Sequence, residues 1–246
     1  MMKSKNRIEV TEKDIDFFHY LHARKIATID HIGRDCYATL GKAGLYKRLL
    51  RLEKENLIQG FISSSTGGKK IYNLTRSGFI TKVKGDRETK RKELKSDAIK
   101  HDLGLCEINH ALLKSKIITQ YQTENSLQTW KIKDIGEAFE PFVRNNSDAA
   151  IEITIDGAKI YFAIEYEVSL QNYQRYKEKI GNYYKESGIT RVLYVLKDEA
   201  NIKVLMEIEK ELDEAKLGKF FYTSFDKLVS NQDMSFINWK GEVIEI

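Results

Sequence analysis

The stretch 147-SDAAIEITIDGAKIYFAIEYEVS-169 decides the fold of the second half of this chain. It holds two runs of alternating apolar and polar residues, which is the pattern of β-strands with two different faces. The runs are joined by Asp156-Gly157, and this dipeptide between two alternating runs is a strong signal for a tight hairpin. The stretch therefore predicts two adjacent antiparallel strands.

Acidic side chains lie along one face of this predicted hairpin. Because side chains alternate across a sheet, Asp148 shares a face with Glu152, and Glu165 shares a face with Glu167. Close carboxylates repel each other unless a cation or basic groups lie among them. Three interpretations are open: a solvated sheet surface, a metal site, or the remains of a metal site.

The segments around the hairpin predict an α/β layered domain that covers residues 100–246. A helix is predicted before the hairpin in "KHDLGLCEINHALLKSKII", because apolar residues recur at helical spacing. The segments predicted after it are, in order, a helix in "LQNYQRYKEKIGNYYKES", a strand in "RVLYVLK", a helix in "EANIKVLMEIEKELDEAK", a strand in "KFFYTS", a short helix in "FDKLVS", and a strand or hairpin in "SFINWKGEVIEI". This order predicts helices packed on a mixed central sheet.

Length and composition indicate a globular protein with packed cores. The chain has 246 residues, 41% hydrophobic and 11% aromatic, which suffices for one large or two modest domains. No apolar run is long enough to cross a bilayer, and the charged start lacks the apolar core of a secretory signal. We expect a cytoplasmic protein without a membrane partner. Cys36 and Cys106 fit neither a disulfide framework nor a zinc site, so we expect reduced thiols.

Charge is distributed unevenly along the chain. Residues 1–100 contain 23 Lys and Arg against 12 Asp and Glu, a net +11, whereas the remainder contains 18 against 24, a net −6. Clustered positive charge is the electrostatic signature of a nucleic-acid surface. The first half is therefore the candidate DNA-binding region.

The first half predicts three helices followed by a hairpin. "TEKDIDFFHYLHARK" begins with Thr11 as N-cap, and "ATIDHIGRDCY" predicts a second helix. "TLGKAGLYKRLLRLEKENLI" places Leu45, Leu49 and Leu52 on one face and basic residues largely on the others. The chain then alternates, turns at the basic segment 66-TGGKK-70, and returns through "KIYNLT".

This order is that of a winged helix-turn-helix domain, predicted here over residues 1–84. In such domains the third helix lies in the major groove and the hairpin, or wing, contacts the DNA backbone or minor groove. The predicted contacts to double-stranded DNA are Lys42, Tyr46, Lys47, Arg48 and Arg51 on the third helix and Lys69 and Lys70 on the wing. A winged helix that binds only protein is an open alternative. Residues 85–99 carry dense charge of both signs and are predicted to be a linker or a bridging helix.

The second half resembles the restriction-endonuclease-like fold. The pattern of that group is Pro-Asp, a gap spanning a hairpin, then Asp or Glu, any residue, and Lys. In this chain Ser147-Asp148 and Glu165-Tyr166-Glu167 occupy those places, with Ser instead of Pro and Glu instead of Lys. The resemblance implies Asp148 and Glu165 as Mg²⁺ ligands and Glu167 as the group that orients or deprotonates water. Lys177 and Lys179 are alternatives for the missing positive charge, although a solvated helix surface explains both more simply.

The whole chain from Thr11 onward resembles the replication-relaxation family of plasmids and other mobile elements. The segments that carry the resemblance are the winged-helix segment "LYKRLLRLEKENLIQGF", "HDLGLCEINHALL", "SDAAIEI", "FAIEYEVSLQNYQRYKEKIGNYY" and "RVLYVLKD". The resemblance implies DNA binding linked to plasmid replication, relaxation or transfer. It also implies a nuclease-like second domain.

Two functions remain open from the sequence. The first is a non-enzymatic DNA-binding protein whose degenerate nuclease-like domain contacts DNA, a second copy, or a replication or transfer protein. The second is a Mg²⁺-dependent DNA endonuclease or nickase with Asp148, Glu165 and Glu167 as catalytic residues. A homodimer is expected in either case, because a DNA site made of two half-sites is bound by two copies of the winged helix.

Overall fold

The computed structural model describes residues 8–89, 96–170, 172–213 and 216–246. The chain divides into two compact units, Met1–Cys106 and Glu107–Ile246. The division falls inside one helix, somewhat later than the boundary expected from the sequence. Within the segment 85–99, predicted as a linker or bridging helix, residues 90–95 lie outside the described residues.

The N-terminal unit contains helices and a small antiparallel sheet. Its elements are α1 (Glu12–Arg24), β1 (Ala27–Thr28), α2 (Ile29–Asp35), α3 (Lys42–Lys54), β2 (Ile58–Ile62), a 3₁₀ turn (Ser64–Thr66), β3 (Lys70–Leu74), α4 (Arg76–Gly78) and a π-helical segment (Phe79–Lys84). The sheet order is β1-β3-β2, with antiparallel pairing throughout. The predicted order of three helices and a hairpin is therefore confirmed.

Local sequence accounts for the ends and the packing of these helices. Thr11 caps α1 as predicted, and Asp14 completes a capping box with it. Leu45, Leu49 and Leu52 of α3 are buried, as their spacing predicts. The turn between β2 and β3 contains Gly67 and Gly68 at φ values of +60° and +83°. Glycine tolerates this region of backbone space without steric cost.

The C-terminal unit begins within α5 (Ile99–Leu112). Its other elements are β4 (Ile118–Thr123), α6 (Glu124–Thr129), α7 (Ile132–Ile135), a 3₁₀ turn (Glu137–Phe139), α8 (Glu140–Arg144), β5 (Ala149–Ile155), β6 (Ala158–Glu167), α9 (Tyr173–Lys185), β7 (Arg191–Leu196), α10 (Ala200–Leu212), β8 (Phe220–Ser224), a π-helical segment (Asp226–Ser230), β9 (Ser235–Ile237) and β10 (Val243–Glu245). The predicted elements after the hairpin are all present. Strand β4 and the short helices α6 to α8 carry no periodicity long enough to predict them.

Seven strands form one mixed sheet in the order β10-β9-β8-β7-β6-β5-β4. The pairs β6–β7 and β7–β8 are parallel, and the other pairs are antiparallel. The expected mixed central sheet is therefore confirmed. Among the described residues, every helix is too short or too polar to span a lipid bilayer.

The predicted hairpin is β5 and β6, joined at Asp156-Gly157. Both turn residues have positive φ, +51° and +79°, as a two-residue turn of this type requires. The strand register pairs Ala150 with Ala163 and Glu152 with Tyr161. Since paired residues share a face, the register places Asp148, Glu152 and Glu165 on one side of the sheet.

Candidate functional site

Helix α9 lies over Glu165 on the acidic face of the hairpin. Residues Ala149 to Ile153 of β5 are all buried, so both faces of this strand are packed. Glu165 has no exposed surface, and Glu152 is also buried. The interpretation of this face as solvated sheet surface is therefore wrong for Glu165, because side chains of α9 rather than water lie over it.

Glu165 is held by two side chains of α9. Its Oε2 accepts a hydrogen bond from the ammonium of Lys179, and its Oε1 accepts one from the hydroxyl of Tyr183. The Tyr183 hydroxyl also lies 2.7 Å from Oγ of Ser147, the residue that stands where the endonuclease pattern has Pro. Both oxygens of Glu165 are thus engaged within the protein.

Asp148 and Glu167 flank this pair. The backbone N–H of Tyr166 donates to Oδ2 of Asp148 at 2.8 Å. Asp148 and Glu167 are half-buried. Burial disfavours the charged form of Lys179, but the carboxylates of Glu165, Asp148 and Glu167 outweigh it and raise the pKa of Lys179. The ammonium form of Lys179 is therefore stabilised by three carboxylates.

The surroundings of Glu165 favour its uncharged form, whereas those of Lys179 favour the charged form. Burial raises the pKa of Glu165 to about 8, and the Asp148 carboxylate adds to the increase, whereas Lys179 and Tyr183 oppose it. The charge of Glu165 thus depends on the ammonium beside it. Removing that ammonium would leave a fully buried carboxyl without its cation.

Tyr194 of β7 lies beside Glu165 and Lys179. It stands in register with Glu165 on the adjacent parallel strand. Its ring centroid is 5.9 Å from Nζ of Lys179. The residue is 1% exposed, and its hydroxyl has no hydrogen-bond partner within the part of the chain that the structure describes. A buried hydroxyl without a partner is uncommon in folded proteins.

Glu152 lies on the same face but belongs to a different set of contacts. Its carboxylate accepts hydrogen bonds from Thr119, Lys159 and Tyr161 at 2.8 to 3.1 Å. Burial raises the pKa of Glu152, but these donors outweigh it and lower the pKa. Each buried acid of the face thus has a lysine of its own, which removes the expected repulsion between them.

The arrangement does not fit a divalent metal ion at Asp148 and Glu165. Mg²⁺ needs carboxylate oxygens that are open to it, and it keeps several water ligands. Both Glu165 oxygens already accept hydrogen bonds, and Oδ2 of Asp148 accepts one from the backbone. The described residues contain no group of three or more His, Cys, Asp or Glu side chains placed to hold a metal ion.

This chain has Glu167 where the endonuclease pattern has Lys, and the helical spacing of α9 identifies Lys179 as a lysine that faces the packed side of the helix. Tyr176 and Tyr183 are buried, and Lys179 lies three residues after the first and four before the second, on the same helix face. Lys177 lies elsewhere on α9 and forms an exposed ion pair with Glu211 at 3.3 Å. The solvated-surface interpretation is therefore wrong for Lys179 and adequate for Lys177.

The second candidate site is the exposed side of α3. Lys42, Tyr46, Lys47 and Arg51 are exposed, away from the buried leucines of this helix. Lys47 and Arg51 are four residues apart and therefore adjacent on the helix surface. The four predicted contacts present an aromatic ring and three positive charges to solvent.

Arg48 differs from its neighbours on α3. Its guanidinium donates to both carboxylate oxygens of Asp14, one of them at 2.9 Å, and to the carbonyl of Glu9 at 2.7 Å. The Asp14 side chain has no exposed surface. Because Arg48 lies three residues after Leu45 and four before Leu52, it points toward the packed side of the helix. Its placement argues against the predicted contact with DNA.

The lysines of the hairpin have partners in the same unit. Lys69 forms an ion pair with Asp30 at 3.0 Å, and both side chains are more than half exposed. Lys70 forms an ion pair with Glu53 at 2.8 Å, and its ammonium lies 5.1 Å from the ring centroid of Tyr72. An exposed pair such as that of Lys69 contributes little to stability and exchanges partners at little cost. Lys70 is less available than Lys69 for an external phosphate.

Comparison with protein-family models, with curated proteins and with solved structures finds no match to this chain.

Proposed function

We propose that this chain is a double-stranded DNA-binding protein of a plasmid or other mobile element that acts in replication, relaxation, transfer or their transcriptional control. In this proposal the N-terminal unit is a winged helix-turn-helix domain with α3 as recognition helix. The observation that carries the proposal is the exposed side of α3, where Lys42, Lys47 and Arg51 have no ion-pair partner among the described residues. Such cations bind backbone phosphates and release counterions from DNA.

The proposed interface consists of Lys42, Tyr46, Lys47 and Arg51, with Lys69 on the hairpin. Four cations that each neutralise one phosphate give a salt dependence with a slope of roughly −3.6 in log K against log salt. The aromatic ring of Tyr46 is exposed at the same surface and suits contact with a sugar or a base edge. A homodimer with paired recognition helices is the arrangement that we propose for a two-half-site operator.

The C-terminal unit is proposed to have a restriction-endonuclease-like fold without metal-dependent cleavage. The mixed sheet and the hairpin acids agree with that fold. The engagement of both Glu165 oxygens by Lys179 and Tyr183 argues against the Mg²⁺-dependent endonuclease or nickase. We propose that this unit contacts a replication or transfer protein, a second copy of the chain, or DNA.

Fluorescence anisotropy with a duplex library, followed by salt titration of the tightest duplex, tests the DNA-binding proposal. We expect specific binding that weakens steeply with salt, and a smaller slope for Lys47→Ala and Arg51→Ala. Lys210→Ala on the exposed surface of α10 is the matched control and should bind unchanged. Absence of any salt-dependent affinity would instead favour a winged helix that binds only protein.

A supercoiled-plasmid assay with Mg²⁺, Mn²⁺ or chelator tests the absence of cleavage. We expect the plasmid to remain intact in all conditions. Metal-dependent nicking that is lost in both Asp148→Ala and Glu165→Ala would identify an endonuclease and refute this part of the proposal.

A further inference from the structure

The last strand of the seven-stranded sheet has an open side. Among the described strands, β10 pairs with β9 alone and forms one edge of the sheet. The backbone N–H of Asn238 in the turn donates to the carbonyl of Glu242 at 3.0 Å, so the backbone groups of Glu242 face β9. Because these groups alternate sides along a strand, those of Val243 and Glu245 point away from β9. Such a row of open donors and acceptors can pair with another strand.

The side chains at this edge leave apolar surface in solvent. Val243 pairs with Ile237, and Ile237 pairs with Tyr222, so the three share one face of the sheet. The Tyr222 hydroxyl donates to Glu209, which places α10 on that face. Tyr222 is only 1% exposed, whereas Ile237 and Val243 are 41% and 57% exposed. Exposed apolar side chains beside an open strand edge are typical of an interaction surface.

Two opposite charges lie beside this apolar edge. A cavity of about 360 Å³ lies between α10 and the last strands, and Lys203 and Val243 both line it. Glu245 is two residues after Val243 and therefore projects from the same face. Lys203 and Glu245 are exposed, and neither has an ion-pair partner in the described part of the chain. The edge thus carries one available cation and one available anion.

We propose that β10 pairs with β10 of a second copy of this chain about a two-fold axis at Ile244, so that two seven-stranded sheets join edge to edge. The inference rests on the homodimer of the proposed function and names its surface. In this register Val243 lies opposite Glu245 of the second copy. Their outward N–H and C=O groups make four hydrogen bonds between the chains. Each copy contributes the same patch, as a two-fold interface requires.

The charges favour this register. A two-fold axis at Glu245 would set two carboxylates directly opposite each other, which is destabilising. An axis at Ile244 instead brings Glu245 of the second copy beside Val243, on the face where Lys203 lines the cavity. The symmetry makes two such pairs of opposite charge. The exposed side chains of Ile237 and Val243 lie next to the joined strands and lose contact with water.

Sedimentation velocity of the full chain without DNA, over a range of concentrations, tests the proposal. The parent protein should form a dimer that dissociates on dilution, because the shared strand is short and the interface small. Val243→Pro should remain monomeric over the same range with an unchanged far-UV circular dichroism spectrum. Proline is tolerated where the N–H of an edge strand points outward, but it cannot donate to a second copy.

A charge exchange tests the same edge without proline. Lys203→Glu and Glu245→Lys should each raise the dimer Kd roughly tenfold, because each change acts twice in a two-fold interface. The double variant Lys203→Glu with Glu245→Lys should recover the parent Kd. Lys210→Glu, at an exposed position of α10, makes the same change of charge outside the interface and should leave the Kd unchanged.

Three results would overturn the proposal: a parent protein that is monomeric at every concentration, a folded Val243→Pro variant that still forms the dimer, and a double charge variant that dimerises no better than the single variants. All of these measurements omit DNA. A dimer with the expected response to the variants supports the inference even if the chain has no salt-dependent affinity for DNA, which would refute the DNA-binding proposal alone.

Discussion

The guanidinium of Arg48 on α3 is bound to the carboxylate of Asp14 on α1, so that the basic helix is fixed to the N-terminus of the first helix. The Tyr37 hydroxyl donates to the same carboxylate at 2.6 Å. A basic residue within the candidate DNA-binding helix thus has a structural role. Its neighbours on the exposed side of α3 are the ones available to a ligand.

Replacing Arg48 should affect stability, whereas replacing Arg51 should affect DNA binding. Arg48→Met leaves the buried Asp14 without its cation and should reduce the free energy of unfolding by about 3 kcal/mol. Arg51→Met should leave stability unchanged within about 0.5 kcal/mol and lower the slope of log K against log salt by about one. Urea denaturation and anisotropy, both well below Tm, measure the two effects. A reduced slope of log K against log salt in folded Arg48→Met would instead show that Arg48 contacts DNA.

Acid should destabilise the N-terminal unit through Asp14. Burial alone raises the pKa of Asp14, but hydrogen bonds from Arg48, Tyr37 and Thr11 outweigh it and lower the pKa from 3.8 to about 2. A carboxyl whose pKa is lower in the folded state stabilises the fold above its unfolded pKa. That contribution, about 2 kcal/mol, is lost as the pH falls from about 4 towards 2.

Unfolding of the parent protein and of Asp14→Ala, compared at neutral pH and near pH 2, measures the contribution of Asp14. The stability difference between the two proteins should be large at neutral pH and should shrink in acid. A difference that stays constant with pH would show that Asp14 acts through packing rather than through its charge.

Replacing Gly44 on α3 by alanine should increase stability but weaken DNA binding. A Cβ built at Gly44 meets no atom within 4 Å, so Gly44→Ala should stabilise the helix by about 1 kcal/mol. Gly44 lies three residues before Lys47 and seven before Arg51, on the same exposed stripe of the helix. If that stripe approaches DNA closely, the added methyl group should weaken binding.

Gly181 on α9 provides the matched control for Gly44. It is also helical, and a Cβ there meets no atom within 4 Å. Gly181→Ala should raise Tm by a similar amount and leave DNA affinity unchanged. Equal DNA affinities of the two alanine variants would mean that Gly44 is not needed for close approach to DNA.

Lys219 should stabilise the C-terminal end of α9. Its buried ammonium donates to the carbonyls of Tyr183 and Glu186, both at 2.6 Å. Lys219→Met leaves both acceptors without this donor and should lower the free energy of unfolding by about 1 to 3 kcal/mol. Hydrogen exchange should show faster exchange in the last turn of α9. Lys185→Met, at an exposed position of the same turn, is the control.

The sequence by itself determined the local elements and their faces. Periodicity and turn residues predicted α1 to α3, the hairpin β2–β3, the hairpin β5–β6 with its Asp-Gly turn, and the elements that follow. These predictions succeed because side-chain alternation and helical spacing are properties of neighbouring residues. The separation of basic residues on the outside of α3 from its buried leucines follows from the same spacing.

Only the tertiary structure decided which charged residues are bound inside the protein. The partners of Arg48 and Glu165 lie 34 and 14 residues away in sequence, and nothing in the local pattern links either pair. Burial of Glu165 follows from the packing of α9 on the sheet, which the hairpin alternation does not encode. Whether an acid is solvated, paired or open to a metal depends on what covers it, and that is fixed by packing between elements distant in the chain.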